Sequence, residues 1–169
     1  VTCIGDSVFY NCNSLTSVTL QHGVKSICYS AFHDCSRLTS ITIPDSVINI
    51  GSYAFANCTD LTSIKIPDGV TSIEDETFYY CMKLTSIAIP NRVKSIGTCA
   101  FMNCFDLSSV EIPNSVTSIG NRAFCNCDRL KSINYDGTMA EWDKIDKSPR
   151  WKMDSLLTHI NCTDGVINL

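Results

Sequence analysis

The stretch LTSITIPDSVINIGSYAFANCTD, residues 38–60, is one copy of a unit that repeats every 23 residues. Five full copies occupy residues 15–129, a partial copy occupies residues 1–14, and a sixth begins at Leu130 and soon diverges. A fixed period of about 20–50 residues is the signature of a repeat architecture. Such a unit cannot bury its apolar face alone, so stacked neighbours cover one another and form a continuous core. The sequence therefore predicts a solenoid over residues 1–133, with one coil per repeat.

Each repeat divides into a strand, a turn, a short second strand and a final third. Apolar and polar residues alternate in the first segment, as in a half-buried strand, and Pro44 ends it because proline lacks the ladder N–H. Gly51 follows the second apolar segment and predicts a tight bend with positive φ. Phe55 and Cys58 are three residues apart, which predicts one helical or 3₁₀ turn with both side chains on one face.

The chain contains 11 cysteines, and six of them follow the repeat period: Cys12, Cys35, Cys58, Cys81, Cys104 and Cys127. Equivalent side chains of stacked coils lie about 4.8 Å apart and point the same way. A disulfide prefers Cβ atoms about 3.8 Å apart with a crossed geometry. We therefore predict that this cysteine ladder is buried and reduced and acts as small apolar filler. The cysteines outside it are candidates for exposed thiols or odd pairings: Cys3, Cys28, Cys99, Cys125 and Cys162.

The closing position of each repeat alternates in charge through Arg37, Asp60, Lys83, Asp106 and Arg129. Because equivalent positions of adjacent coils are neighbours, each step is expected to form a pair of opposite charges. Exposed pairs contribute about 0.2–1 kcal/mol each. The alternation therefore predicts a modest stabilising ladder with no ligand role.

The pattern LxSIxIPxxVxSIGxxAFxxCxx over residues 1–133 closely resembles the BspA-like leucine-rich repeat family of bacterial and protist surface proteins. The resemblance implies a right-handed leucine-rich-repeat solenoid from a secreted or surface-anchored protein involved in adhesion. The first copy departs from the pattern at Cys28, and the third departs at Glu74 and Thr77, each in a turn region. These departures are not expected to change the fold.

Residues 134–169 leave the repeat pattern. Asp136 and Gly137 signal a tight turn, and Thr138 with Glu141 forms a capping-box pattern for a short helix. The segment is similar to the module that often closes such arrays, so we expect it to cover the C-terminal end of the core. The chain begins within a repeat, and we expect it to be part of a longer protein.

Composition argues against several classes of function. The net charge of −4 and the absence of a basic run disfavour nucleic-acid binding. No apolar run approaches the roughly 18 residues of a membrane span. The serine positions shared by the repeats have no histidine in register, His33 lies beside the buried Cys35, and no CxxC pair suggests zinc. We therefore expect no enzyme activity, no cofactor and no metal.

Two surfaces are candidate binding sites. The first is an apolar patch at positions that are polar or small in most other repeats: Tyr79, Tyr80, Met82, Met102 and Phe105. Aromatic residues and methionine at a surface are typical of interaction sites. The second is the outward face of the first strands: Thr19, Thr42, Lys65, Ala88 and Glu111.

Taken with the resemblance, these features predict a non-catalytic extracellular or cell-surface module. It is expected to bind an extracellular matrix or surface protein and to act in adhesion to host or neighbouring cells. One alternative is a structural stalk that displays another domain. Another is a carbohydrate-binding module, although the aromatic residues lie away from the expected concave face.

Overall fold

The computed structural model describes residues 1–169 and shows a solenoid of short parallel strands with about seven coils. The predicted solenoid is thus confirmed. The elements in chain order are β1 (Cys3–Ile4), β2 (Ser17–Thr19), β3 (Ser26–Ile27), β4 (Ser40–Thr42), β5 (Asn49–Ile50), β6 (Ser72–Ile73), β7 (Ser86–Ala88), β8 (Ser95–Ile96), β9 (Ser109–Pro113), β10 (Ser118–Ile119), β11 (Ser132–Asp136), α1 (Met139–Asp143), β12 (Asp146–Lys147), β13 (His159–Cys162) and β14 (Gly165–Asn168).

Each coil contributes to two strand faces. The first-strand face contains β2 and β4, then β7, β9, β11 and β13, while the second-strand face contains β1, β3 and β5, then β6, β8, β10 and β12. Pairing advances by one repeat, since Ser17 pairs with Ser40 and Ser86 with Ser109. This register stacks the apolar residues of every coil on those of the next, and a single core runs along the array.

The final third of each repeat is a series of turns, so the predicted helical turn is wrong. The N–H of Ala31 donates to the Cys28 carbonyl within its own coil, whereas the N–H of Phe32 donates to the Ala54 carbonyl of the next coil. In a helix these N–H groups would bond within their own coil. Here successive N–H groups alternate between a carbonyl of the same coil and a carbonyl of the next coil, so about half of them hold neighbouring coils together. Two residues per coil adopt positive φ: Ser7 and Asn11, Ser30 and Asp34, Tyr53 and Asn57, Glu76 and Tyr80, Cys99 and Asn103, Arg122 and Asn126. We call this part of the surface the turn side.

The repeat glycines allow close stacking, and the prediction of positive φ at Gly51 is wrong. The only glycines with positive φ are Gly23 and Gly165. A Cβ atom built on Gly97 would lie 2.6 Å from the backbone nitrogen of Asp75 in the preceding coil. Glycine is therefore needed because two backbones approach each other at this point.

The core is organised by a phenylalanine ladder. Rings from Phe9 to Phe124 stack with centroids 5.1–5.7 Å apart and planes within 10° of parallel. The last ring meets Trp151 edge-on at 6.1 Å. The five rings from Phe32 to Phe124 are completely buried, so each coil depends on its neighbours for burial of its largest side chain.

Both strand faces are interrupted at the third full copy. Residues 61–67 form no strand, although a strand is predicted there, and β5 does not pair with β6. Glu74 occupies the glycine position of this coil, and its N–H makes no bond to Ile50, whereas Gly97 donates to Ile73 at 2.8 Å. Cys28 also replaces glycine at this position, but its N–H still donates to the Ile4 carbonyl. The missing pairing between β5 and β6 thus occurs where glutamate, with a large charged side chain, replaces glycine. The Glu74 carboxylate accepts a hydrogen bond from the Ser72 hydroxyl.

The C-terminal residues extend both faces by one more coil. The helix α1 begins with the predicted capping box, in which the Glu141 N–H donates to Thr138 Oγ and the Thr138 N–H donates to the Glu141 carboxylate. Trp142 is buried against Tyr135 and Trp151. The strand β14 runs antiparallel to β13. That residues 134–169 form a module that closes the array stays a prediction. No helix of the chain has the length and apolar character needed to cross a membrane.

Candidate partner-binding surface

All five predicted contacts on the first-strand face are exposed: Thr19, Thr42, Lys65, Ala88 and Glu111. Lys65 lies outside any strand because residues 61–67 form no strand pairing with the first strands of the neighbouring coils. A shallow depression of about 440 Å³ lies between Lys65, Ala88 and Glu111. Lys65 Nζ lies 3.5 Å from Asp45 Oδ1, with both side chains largely in solvent. The exposed strand residues of this face are polar or small and include no aromatic ring.

The predicted apolar patch lies on the turn side, where its aromatic members meet. The rings of Tyr79 and Tyr80 have centroids 4.9 Å apart, and those of Tyr80 and Phe105 are 6.1 Å apart, both edge-on. All three side chains are half-buried. Partial burial raises the pKa of Tyr79 above its ordinary value. The three rings therefore form one surface cluster that spans two coils.

The two methionines extend this cluster in different directions. Met82 is exposed and, with Phe105, lines a depression of about 370 Å³. The polar rim of this depression includes the ion pair between Lys83 and Asp60. Met102 is half-buried, and its carbonyl accepts the Tyr80 N–H at 2.9 Å. Apolar floor and charged rim are the usual anatomy of a protein interface.

Tyr80 has a backbone conformation that is unfavourable for its side chain. Its φ is 56°, and the same left-handed position is held in the other coils by Asn11, Asp34, Asn57, Asn103 and Asn126. Asn and Asp tolerate this conformation, whereas a bulky residue there is an outlier. The amide side chains also bond from coil to coil, at 2.7 Å for Asn57 to Asp34 and for Asn126 to Asn103. Tyr80 interrupts that ladder.

A second aromatic cluster was not predicted from the sequence. It consists of Tyr10, Tyr29, His33 and Tyr53, with ring centroids 5.2–6.0 Å apart. Tyr10 and Tyr29 are each about half exposed. The repeat alignment could have indicated part of this cluster, because Tyr10 and His33 occupy the same repeat position as Tyr79 in earlier coils.

Carboxylates accompany the second cluster. Tyr53 Oη donates to Glu76 Oε1 at 2.6 Å, and this bond raises the pKa of Tyr53 to about 12. A hydrogen bond to Asp34 likewise raises the pKa of Tyr10. The turn side thus combines aromatic rings with oriented acidic groups across the N-terminal coils.

The ladder cysteines contribute no reactive chemistry to this surface. Cys35, Cys58, Cys81, Cys104 and Cys127 are buried, as predicted, whereas Cys12 is only partly buried. Burial raises the pKa of the Cys35 thiol to about 11 and that of Cys127 to about 12, so neither forms much of the reactive thiolate at neutral pH. No group of three or more His, Cys, Asp or Glu side chains is arranged to hold a metal ion.

The alternating charges pair at only two of the four steps. Lys83 Nζ lies 2.7 Å from Asp60, and Arg129 lies 3.2 Å from Asp106. Arg37 makes no ion pair with Asp60. The prediction of a continuous ladder is therefore wrong, since each aspartate pairs with the basic residue of the following coil and not with that of the preceding coil.

Solved structures with similar folds come from bacteria. A leucine-rich cell surface protein from Faecalibacterium prausnitzii is 37% identical over 78% of this chain, with a TM-score of 0.75. The leucine-rich repeat protein of T. pallidum is 32% identical over 80%, also with a TM-score of 0.75. One from Bacteroides ovatus is 36% identical over 72%, with a TM-score of 0.65. The chain spans 35%, 66% and 40% of these three proteins respectively.

A comparison with curated protein sequences gives no match. The family model described as a BspA-type leucine-rich repeat region matches six copies over residues 2–131, which is most of the chain. Its repeats coincide with the coils of the solenoid, and leucine-rich repeat proteins of this kind are protein-interaction or surface modules. The chain belongs to the BspA-type leucine-rich repeat family.

Proposed function

We propose that this chain is a non-catalytic module of a cell-surface protein and that it binds an extracellular matrix or surface protein through its turn side. Its role would be adhesion to host or neighbouring cells. The proposed location follows the similar protein of F. prausnitzii, which is described as a cell surface protein. Adhesion follows the family resemblance.

The observation that carries the proposal is the presence of Tyr80 at a left-handed position otherwise reserved for Asn and Asp. The tyrosine lacks the side-chain amide that bonds from coil to coil at this position, and its φ is unfavourable, so it lowers the stability of its coil. Backbone strain of this kind clusters at binding sites, where the surrounding structure maintains it. Its ring contacts both Tyr79 and Phe105, which places the strained residue at the centre of the patch.

The size of the surface suits a protein partner. The two aromatic clusters extend over five coils, from Tyr10 to Phe105. At about 4.8 Å per coil, this distance is roughly 20 Å along the array. A typical protein interface covers about 800 Å² on each partner, and a length of roughly 20 Å is a substantial part of the span of such an interface.

Carbohydrate binding is a second candidate that one observation favours. In the second cluster Tyr10 and Tyr53 lie beside the carboxylates of Asp34 and Glu76. Exposed rings can stack on sugar faces while carboxylates accept hydroxyl hydrogen bonds. A carbohydrate-binding module was one of the alternatives drawn from the sequence, although the aromatic residues lie away from the expected concave face.

A binding screen separates these functions. The purified chain is tested by biolayer interferometry against immobilised extracellular matrix and cell-surface proteins, with immobilised glycans in parallel. Saturable binding to a protein supports the proposal, and binding to glycans alone supports the second candidate. Failure to bind any member of either panel contradicts both and favours a stalk.

A further inference from the structure

Two thiols outside the buried ladder lie against each other on the second-strand face. Cys3 is in β1, and Cys28 follows β3 in the next coil. Their Sγ atoms are 2.7 Å apart. The strand pairing places them there, because Cys3 is opposite Ser26 and the Cys28 N–H donates to the Ile4 carbonyl. The two side chains therefore meet across the boundary between two coils.

This pair differs from the ladder cysteines in partner and in access. Each buried ladder thiol donates to a phenylalanine carbonyl of the preceding coil. Cys3 and Cys28 have each other as partner, and Cys3 is exposed while Cys28 is half-buried. Dissolved reagents can therefore reach Cys3. Cys28 also stands where the neighbouring coils have Gly5 and Gly51, so the repeat itself does not require a cysteine at this position.

We propose that Cys3 and Cys28 are a disulfide-forming pair that links the first two coils. The oxidant is a low-molecular-weight disulfide. The Cys3 thiolate attacks one sulfur of that reagent and releases one reagent thiol, leaving a mixed disulfide on Cys3. Cys28 then loses its proton and attacks the Cys3 sulfur, which releases the second reagent thiol. The two cysteines lose two electrons and two protons, and the reagent is reduced to two thiols.

In the reduced pair the hydrogen bond with Cys3, together with burial, raises the pKa of Cys28 to about 11. Ring closure requires the thiolate of Cys28, so it accelerates as the solution becomes alkaline. Once formed, the bond ties down the first coil, whose apolar residues Ile4, Phe9 and Cys12 are only partly buried.

Oxidation of the full chain with oxidised glutathione at pH 8 tests the pair. The product is unfolded in the presence of an alkylating reagent and digested without reduction for mass spectrometry. Trypsin leaves Cys12 with Cys3 and Cys35 with Cys28, so fragment ions assign the linked sulfurs. We expect a Cys3–Cys28 link and free ladder thiols. The linked protein should melt about 5 °C higher than the reduced protein, and a reductant should reverse the gain.

Two variants serve as controls. Cys28→Gly restores the residue of the neighbouring coils and should retain only a glutathione adduct on Cys3, with no change in melting on oxidation. Cys99→Ser removes a different cysteine outside the ladder and should retain the link. Recovery of Cys3 and Cys28 as separate alkylated or glutathione-modified residues in the folded wild-type chain overturns the proposal, as does a link from either to another cysteine.

Discussion

The Cys58 thiol donates to the carbonyl oxygen of Phe32 across the boundary between two coils, with 3.2 Å between Sγ and oxygen. The same carbonyl also accepts the N–H of Cys35. Equivalent thiol contacts of 3.0–3.2 Å recur in four further coils. The cysteine ladder is therefore a row of hydrogen-bond donors as well as the apolar filler predicted from the sequence.

The donor role predicts an order among substitutions at Cys81. Cys81→Ala removes the thiol contact to Phe55 and leaves a small cavity, and we expect a loss of about 1–2 kcal/mol in the free energy of unfolding. Cys81→Ser keeps a donor and should lose less. Urea titration of both variants measures the order. If the serine variant is the less stable of the two, the cysteine acts as apolar filler alone.

The buried thiols also predict a loss of stability in alkaline solution. An unfolded cysteine has a pKa of about 8.5, whereas burial holds that of Cys35 at about 11 and that of Cys127 at about 12. Above pH 8.5 the unfolded chain releases protons that the folded chain keeps, so the unfolded state gains stability. The contribution of the ladder should be complete below that pH and decline as the pH rises toward 11–12.

Thermal melts between pH 7 and 11 under reducing conditions measure this decline. Cys81→Ala removes one buried thiol and should show a shallower dependence on pH than the wild type. Equal slopes for the two proteins would assign the alkaline effect to other groups, such as Tyr53.

Glu74→Gly should strengthen the boundary at which β5 and β6 do not pair. Glycine at this position lets adjacent backbones approach, as Gly97 does, and would allow β6 to pair with β5. We expect a net gain of about 1 kcal/mol, since new backbone hydrogen bonds outweigh the greater flexibility of glycine when unfolded. Hydrogen exchange should show new protection at residues 71–74. Unchanged exchange there would mean that Glu74 does not cause the break.

The charge pairs predict a salt-dependent effect at Asp60. Asp60→Lys replaces the partner of Lys83 with a like charge. The pair is partly exposed, so we expect a loss of about 0.2–1 kcal/mol that shrinks as salt screens the repulsion. Urea titration at low and high salt distinguishes this from a loss of turn hydrogen bonds, which would not depend on salt.

The repeat period was sufficient to predict the coils, their order and the core. Equivalent residues must stack in a solenoid, so the burial of Phe55 and Cys58 followed from spacing alone. Two local conformations were mistaken. A spacing of three fits a helix and a series of turns equally well, and Asn57 at a recurring left-handed position was the overlooked signal. Gly51 was assigned to a bend with positive φ because the sequence of one repeat does not show how closely the backbones of adjacent coils approach each other.

The candidate surface was predicted in part. Tyr79, Tyr80 and Phe105 stood out because they depart from the repeat, and the structure brings their rings together. The second cluster was missed because Tyr29 and Tyr53 occupy different positions of the repeat and meet only through the path of the turns. The missing strand at residues 61–67 was not predicted because those residues read like the first strand of the other repeats, and the departures of this repeat at Glu74 and Thr77 were not expected to change the fold.

The central claim is that the strained aromatic patch binds a partner, and the preceding coil supplies the variant that tests it. Tyr79→Ala, Tyr80→Asn and Met82→Thr convert residues 79–82 to the ANCT of residues 56–59. The new asparagine suits the left-handed backbone and can join the amide ladder, so the variant should be at least as stable as the wild type. A control with Ala88→Lys and Glu111→Lys alters the exposed first-strand face instead.

The measurement is the dissociation constant of the wild type and both variants for the protein identified in the binding screen, with a thermal melt of each. We predict that the ANCT variant melts at the same or a higher temperature and binds at least about tenfold more weakly, because aromatic anchors dominate interfaces. The first-strand variant should bind like the wild type. An ANCT variant that is folded and binds with unchanged affinity would contradict the account.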